Sequence, residues 1–272
     1  MEPRTEPARA KRGVYITGVT GNIGRLLAKA FKDEYDLKGN GLRAEPIPGV
    51  RVAAGNVRDL EFLADQFQGC DTVIHLAAEI SPRASWESCL RNNIEGTYAV
   101  YEAACQAGVR RVILASTNHV TGILTEKAQE MDTSVPVRPD GYYGVSKAFG
   151  EILGRYYSDR FGISALNFRI GWFIGERPER EVVDYFKDRR DAYPLMWLSP
   201  GDCVEAFRRG IEAPASLLFG TYYIMSNNRD SLWDQQNARE ELGFVPRDDL
   251  GALFDRYGVP YHFRIPREGA GG

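Results

Sequence analysis

The sequence predicts an α/β protein: a doubly wound parallel sheet followed by a small C-terminal lobe. Three observations predict it. Short apolar strands alternate with amphipathic helical stretches from Gly13 to about Gly171. The first strand runs directly into a turn with glycines at 18, 21 and 24. After Gly171 the alternation fades into a mixture of aromatics, prolines and charges. Alternating strands and helices form βαβ units, which place helices on both faces of a parallel sheet.

The elements can be taken in order. Val14–Thr17 is a short apolar, β-branched run ending at Gly18, and Arg25–Lys32 carries Leu26, Leu27, Ala30 and Phe31 at helical spacing. The second strand belongs in the segment Tyr35–Arg43. Further strands are expected at Val50–Ala53, Thr72–Leu76, Arg111–Ala115 and Ala165–Ile170. Helices are expected at Leu60–Phe67, Trp86–Ala107 and Tyr143–Phe161. The expected division is a sheet domain over 13–171 and a small, interleaved lobe over 172–266. Polar tails over 1–12 and 267–272 read as disordered.

Composition excludes several classes. Lys plus Arg number 34 against 37 Asp plus Glu, without the basic surplus that nucleic-acid binding asks for. The opening MEPRTEPARAKR holds no apolar run for a signal peptide or membrane span. Cys70, Cys89, Cys105 and Cys203 show neither C-x-x-C spacing nor histidine partners, which reads as buried thiols in a reducing cytoplasm, with no metal site.

The turn Gly18-Val19-Thr20-Gly21-Asn22-Ile23-Gly24 ends a strand and opens a helix. In that place, glycines let backbone N–H groups and a helix N-terminus approach a pyrophosphate without Cβ obstruction. The spacing, G-x-x-G-x-x-G, is less common than G-x-G-x-x-G, and a ligand-free tight turn is the alternative. Gly18, Gly21, Asn22, Ile23 and Gly24 are the expected cofactor contacts in a Rossmann-type sheet. Asn56 and Val57 end the third strand, where an adenine ring would sit. Leu76, Ala77 and Ala78 end the fourth, with small residues where a cofactor must pass closely.

Tyr143 and Lys147 are four apart on an expected helix, so both reach one face. A phenol with a pKa of about 10 is a poor base at neutral pH. A nearby ammonium favours the phenolate, and Tyr143 could then take the proton of a hydroxyl as hydride leaves the same carbon. The alternative is a plain surface helix pair.

The turn, His75-Leu76-Ala77-Ala78, Asn92-Asn93-Ile94-Glu95-Gly96-Thr97, Tyr143-Gly144-Val145-Ser146-Lys147 and Ala238–Pro246 together resemble the extended short-chain dehydrogenase/reductases. The likeness runs from about Val14 to about Pro246. It implies NAD as cofactor, with NADP possible, and adds Asn93 to the cofactor contacts. It implies that Lys147 also bonds the nicotinamide ribose. It further implies a Ser or Thr past the fifth strand that holds the substrate oxygen; register points to Thr117, with Ser116 next. NAD-users of this kind end the second strand with an acid, but here Gly41 stands nearest in register, and Arg43 could meet a 2′-phosphate or be a solvated loop residue.

Within the family, Ser116-Thr117-Asn118-His119, the approach to Tyr143 and Met196-Trp197-Leu198-Ser199 are similar to uronate dehydrogenases and the archaeal NAD-dependent glucose-6-phosphate dehydrogenase. That likeness implies oxidation of the C1 hydroxyl of a cyclic hexuronate, glucuronate or galacturonate, to an aldarolactone. The expected sugar contacts are Ser81, Thr117, Asn118, His119, Tyr143 and Arg190. Register puts Ala192 where uronate dehydrogenases carry a carboxylate-binding arginine, so Arg189 or Arg190 would take that part from a reshaped loop, while Arg83 lies two residues past the position where the phosphate-sugar enzyme carries an arginine. The alternatives are glucose 6-phosphate or another aldose, a nucleotide sugar in an epimerase or dehydratase, and a silent NAD(P)-binding regulator. Helices rich in apolar residues, through Tyr98, Val100, Tyr101, Phe149, Leu153 and Tyr157, suggest a homodimer or higher oligomer.

Overall fold

The structure, a computed structural model, describes residues 11–125, 130–189, 191 and 193–263. Seven parallel strands form one sheet in the order β3-β2-β1-β4-β5-β6-β7. The strands are β1 Gly13–Thr17, β2 Asp36–Gly41, β3 Arg51–Ala54, β4 Thr72–His75, β5 Arg111–Thr117, β6 Ser164–Ile170 and β7 Phe219–Ile224. Helices α1 Asn22–Phe31, α2 Leu60–Gln66, α3 Trp86–Cys89, α4 Gly96–Gln106, α5 Gly122–Thr125 and α6 Tyr142–Phe161 connect the first six. Then come α7 Glu179–Phe186, α8 Pro200–Glu212 and, after β7, α9 Leu250–Arg256. The order reverses between β1 and β4, and a ligand crevice lies outside the carboxyl ends of strands at such a reversal.

The central strands are apolar because both faces are covered. Val14 and Ile16 pack under α1 with Leu26, Leu27 and Phe31, while Tyr15 and Val73 face Val100, Ala103 and Ala104 of α4. β2 is different, since its DLKGNG sequence has little to bury. A Cβ on Gly39 would lie 2.5 Å from the Ile16 carbonyl oxygen, so this strand gains its place by close backbone approach.

The expected helix Trp86–Ala107 is helical throughout but changes pitch. Leu90–Glu95 is a π-helical segment between α3 and α4. Such bulges often mark functional positions, and this one carries the buried Asn93.

The chain beyond Gly171 is shared between two bodies. β7 extends the sheet beside β6, and α8 packs Cys203, Ala206, Phe207 and Ile211 into the core under α1. The remainder forms a third cluster, with Val182 and Phe186 of α7, Trp197, Trp233, and Leu253 and Phe254 of α9. The fully buried Arg111 ties α8 to the sheet. Its guanidinium donates to the carbonyls of Gly210 (2.9 Å), Ala213 (2.7 Å) and Pro214 (2.8 Å), satisfying groups that the helix end leaves without partners.

The terminal stretches read as disordered lie outside the described residues, apart from Lys11 and Arg12. Arg12 donates to the Ile211 carbonyl at 2.6 Å. Among the described residues no helix is long and apolar enough to cross a membrane. The apolar residues read as a partner-seeking surface divide unexpectedly. Val100, Tyr101 and Tyr157 are buried in the chain's own core, and Phe149 and Leu153 are half-buried. The exposed members are Tyr98 of α4 with Val145, Ile152 and Tyr156 of α6.

Candidate active site

The glycine turn joins β1 to α1 at the reversal point. Gly18 adopts φ +71°, and a Cβ there would lie 2.9 Å from the Ala77 nitrogen, so the turn fits flush against the end of β4. A Cβ on Gly24 would lie 2.4 Å from the Gly18 carbonyl oxygen, which keeps the first turn of α1 tight. Gly21 differs: its nearest neighbour would be the Gly18 oxygen at 3.3 Å, and the residue is exposed. Asn22 is also exposed at the start of α1, whereas Ile23 packs on the core.

β1 and β4 are pinned together at this edge. Thr17 Oγ1 meets His75 Nδ1 at 2.8 Å and accepts from the Ala77 N–H at 3.3 Å; His75 Nε2 meets Thr97 Oγ1 at 3.1 Å. Burial, and then the charge of Lys147, pushes the His75 pKa down to about 3, so the ring is neutral. Leu76, Ala77 and Ala78 follow, half-buried. Asn56 turns its side chain to its own loop, accepting from the Arg58 N–H at 3.0 Å, and Val57 is buried beside Gly96.

Asn93 links this edge to α6. It accepts from the Glu79 N–H at 2.7 Å and donates to the Glu79 carbonyl (3.0 Å) and to Ser146 Oγ (2.8 Å). Ser146 in turn donates to the Tyr143 carbonyl at 2.7 Å. Ser81 is exposed, with its N–H on Glu79 Oε1 at 2.9 Å and its hydroxyl accepting from the Arg83 N–H. A Cβ on Gly141 would lie 3.1 Å from the Pro82 carbonyl, so the Ser81 loop borders the start of α6.

Tyr143 and Lys147 are both buried, at 9% and 2% exposure. Burial raises the Tyr143 phenol to about 12, opposed by a side-chain hydrogen bond with Thr117. Burial also lowers the Lys147 ammonium to about 8. Lys147 makes no hydrogen bond or ion pair among the described residues. A nearly inaccessible ammonium with no partner among the described residues costs several kcal/mol in general. An open Gly21, a flush Gly18 and an unpartnered Lys147 fit a dinucleotide lying across the β1–β4 reversal.

The end of β5 resolves the two hydroxyls, because alternate strand residues face opposite sides. Ser116 Oγ donates to Glu151 Oε1 at 2.6 Å, and Glu151 is held by Arg169 through bonds of 2.9 and 2.8 Å. Thr117 faces the other way, toward Tyr143, and its Oγ1 caps the following 3-10 turn by accepting from the His119 N–H. Asn118 is buried, with its carbonyl accepting from Thr121 Oγ1 at 3.2 Å. The His119 ring stands edge-on to Tyr143 with centroids 5.7 Å apart.

Asp140 is a site residue that sequence reasoning missed. Its Oδ2 lies 2.7 Å from His119 Nδ1, which fixes the ring; Nε2 makes no hydrogen bond among the described residues. The Pro139-Asp140-Gly141 turn before Tyr143 was the available signal, but only the fold brings it to His119. A Cβ on Gly122 would fall 2.1 Å from Asp140 Oδ2, so that glycine makes room for the carboxylate.

The arginines read as anion holders are scattered. Arg83 and Arg43 are exposed. Arg189 lies with its guanidinium carbon 4.2 Å over the Trp172 ring and pairs with Asp191 at 3.1 Å. Arg190 and Ala192 lie outside the described residues.

The chain is similar to known proteins over most of its length. Residues 14–189 match the NAD dependent epimerase/dehydratase family. The chain is 39% identical over 255 residues to an L-arabinose 1-dehydrogenase (NAD(P)(+)) of Haloferax volcanii, covering 89% of this chain and 99% of that one. It is 36% identical over 266 residues to the NAD-dependent glucose-6-phosphate dehydrogenase of the same organism, covering 91% and 97%. The crystal structure of uronate dehydrogenase from Agrobacterium tumefaciens superposes with a TM-score of 0.77 at 30% identity, covering 90% and 88%. The chain therefore belongs to the NAD dependent epimerase/dehydratase family, as an NAD-dependent oxidoreductase of the short-chain dehydrogenase/reductase type.

Proposed function

We propose that the protein oxidises the C1 hydroxyl of a free cyclic sugar to the lactone. The observation that carries this reading is the convergence of Tyr143, the Thr117 hydroxyl and the buried, unpartnered Lys147 at one edge of the sheet. Thr117 holds the C1 oxygen, and Tyr143, as the phenolate that the Lys147 ammonium and a bound oxidised nicotinamide would favour against the burial that raises its pKa, accepts the hydroxyl proton as the C1–H bond breaks. The nicotinamide, when bound, supplies the hydride acceptor, so two electrons leave the sugar as its C1–O bond becomes a carbonyl. Lys147 holds the ribose of that cofactor, and Asn118 and His119 Nε2 offer polar groups suited to sugar hydroxyls. The cofactor half lies along Gly18–Gly24, Leu76–Ala78 and Asn93.

A hexuronate is the first substrate of this reading, supported by the likeness to uronate dehydrogenases and by Ser81 at the rim of the site. A second reading, a neutral or phosphorylated aldose oxidised at the same carbon, is favoured by the engagement of Arg189 with Asp191 and Trp172. The relatives named for L-arabinose and glucose 6-phosphate favour it too. A charge-assisted hydrogen bond contributes about 1.5–3 kcal/mol, so one committed arginine shifts the choice between sugars by about ten- to a hundredfold. Absorbance at 340 nm should rise with glucuronate or galacturonate in a panel that includes L-arabinose, glucose, glucose 6-phosphate and a UDP-sugar. Activity confined to the UDP-sugar would contradict the free-sugar reading. The same reading places the enzyme in the cytoplasm, with its four cysteines free, and pairs two copies through Tyr98, Val145, Ile152 and Tyr156. Light scattering should therefore give twice the chain mass or a multiple of it.

A further inference from the structure

A buried polar row crosses three strands behind the site. Register pairs Ser116 of β5 with Arg169 of β6, and Arg169 with Tyr223 of β7, so the three side chains stand side by side on one face of the sheet. Glu151 of α6 lies against that row. It accepts from Ser116 Oγ at 2.6 Å and from Arg169 Nε and Nη2 at 2.9 and 2.8 Å. The Arg169 and Glu151 side chains are only 3% and 7% exposed, so the pair lies out of water. A buried ion pair offsets its desolvation only with close geometry and further hydrogen bonds, and for stability alone an apolar pair often serves as well.

The guanidinium also reaches the other way. Its Nη1 donates to the Tyr223 hydroxyl at 3.4 Å, with the guanidinium carbon 5.5 Å from the centre of that ring. Tyr223 Oη lies 2.9 Å from Thr121 Oγ1, which donates to the Asn118 carbonyl at 3.2 Å. A hydroxyl has one proton to give, so Tyr223 is the donor in its bond with Thr121. Every link then points the same way, from Arg169 to the Asn118 carbonyl. One arm of the network ends at Ser116, the neighbour of Thr117. The other ends at Asn118, the neighbour of His119.

We propose that Glu151 and Arg169 are positioning residues for the sugar oxidation, holding Thr117 and Asn118 in place against Tyr143. Glu151 stands eight residues beyond Tyr143 on α6, about two helical turns away. A single helix therefore carries both the phenol and the carboxylate that anchors the end of β5. The Ser116–Glu151 bond sets how closely Thr117 approaches Tyr143, and the Arg169–Tyr223–Thr121 arm sets the turn that presents Asn118 and His119. The inference rests on the reading in which Thr117 holds the C1 oxygen, and its test separates the two ideas.

Ser116→Ala and Tyr223→Phe each remove one hydroxyl and leave the Glu151–Arg169 pair intact. Steady-state kinetics should use NAD with glucuronate, or with whichever sugar of the panel above has the highest kcat/KM. Ser116→Ala should lower kcat at least about tenfold, because misplacement by part of an ångström costs that much. Tyr223→Phe should raise the sugar KM at least about threefold, with kcat changed less. In both variants the NAD dissociation constant by calorimetry should stay within about twofold of wild type, and the melting temperature within a few degrees. Wild-type kinetics in both variants would overturn the positioning role. A joint fall of kcat, NAD affinity and melting temperature would overturn it too, since that pattern belongs to a loosened fold. Thr117→Ala, measured alongside, distinguishes the two ideas. If it keeps wild-type kcat, Thr117 does not hold the C1 oxygen and the positioning role falls with that reading. If it loses activity while Ser116→Ala and Tyr223→Phe do not, only the positioning role falls. Failure of the wild type to turn over any sugar of the panel would overturn both.

Discussion

Gly144 lies flush against the end of β5: a Cβ at that position would stand 2.4 Å from the His119 carbonyl oxygen and 2.9 Å from the Pro139 ring. This contact lets α6 carry Tyr143 into the same space as Thr117 and His119. Gly144→Ala should push the helix away from β5 by a fraction of an ångström to an ångström. Misplacement on that scale costs up to about a hundredfold in rate. Steady-state kinetics should show kcat/KM reduced at least about tenfold, with cofactor affinity largely kept. Unchanged kinetics would show that the approach is not needed.

The opposite expectation holds at Gly21, where a Cβ would meet, among the described residues, only the Gly18 carbonyl oxygen at 3.3 Å. Gly21→Val should leave the melting temperature within a few degrees of wild type and abolish cofactor binding by calorimetry. A variant that binds normally would reduce the turn to a structural role.

Lys147 predicts a conflict between stability and function. Its pKa falls from 10.5 to about 8 through burial, so the folded state disfavours the charged form at neutral pH. A tenfold change in an acid dissociation constant corresponds to about 1.4 kcal/mol. The cost is complete below pH 8 and is relieved as pH rises from about 8 toward 10.5, where the folded chain has lost the proton and the unfolded chain has not. Lys147→Met should therefore raise the melting temperature of the cofactor-free chain at pH 7, lose the gain above pH 8 and lose cofactor affinity. A lowered melting temperature would mean that the ammonium has a stabilising partner.

His75 supplies an acid limb with the opposite window. Its pKa is pushed down to about 3, so between that value and the ordinary 6.5 the unfolded chain binds a proton that the folded chain does not. Stability contributed by the neutral ring is present above pH 6.5 and is lost as pH falls, by up to about 1.4 kcal/mol for each pH unit. Denaturant titrations from pH 7 to 5 should show a shallower pH dependence for His75→Gln than for wild type. Parallel curves would contradict a neutral, buried imidazole.

What could be read in the sequence follows from how each element is stabilised. β1, β4, β5 and β6 are apolar runs buried on both faces, and their periodicity shows in one dimension. β2 held no such signal, because Gly39 and Gly41 pack by backbone approach to Ile16 and Thr20. β7 was hidden in a segment where aromatics such as Tyr222 and Tyr223 serve two different cores. The glycine turn and the Tyr143–Lys147 pair show in the sequence because each lies along one turn or one helix, whereas Thr117 was pointed to only by the family resemblance. Asp140 and the Glu151–Arg169 pair were not, since their partners lie 21 and 18 residues away and meet only after folding.

The measurement that bears most directly on the mechanism is the turnover of Tyr143→Phe with its best sugar and cofactor. The phenol is buried, hydrogen-bonded to Thr117 and one helical turn from Lys147, and no other acid or base is assigned to the proton of the C1 hydroxyl. General acid–base catalysis typically supplies a factor of about a hundred or more. The predicted result is a kcat at least about a hundredfold below wild type, with the cofactor dissociation constant unchanged. A near-normal kcat would contradict the account and remove Tyr143 from the chemistry.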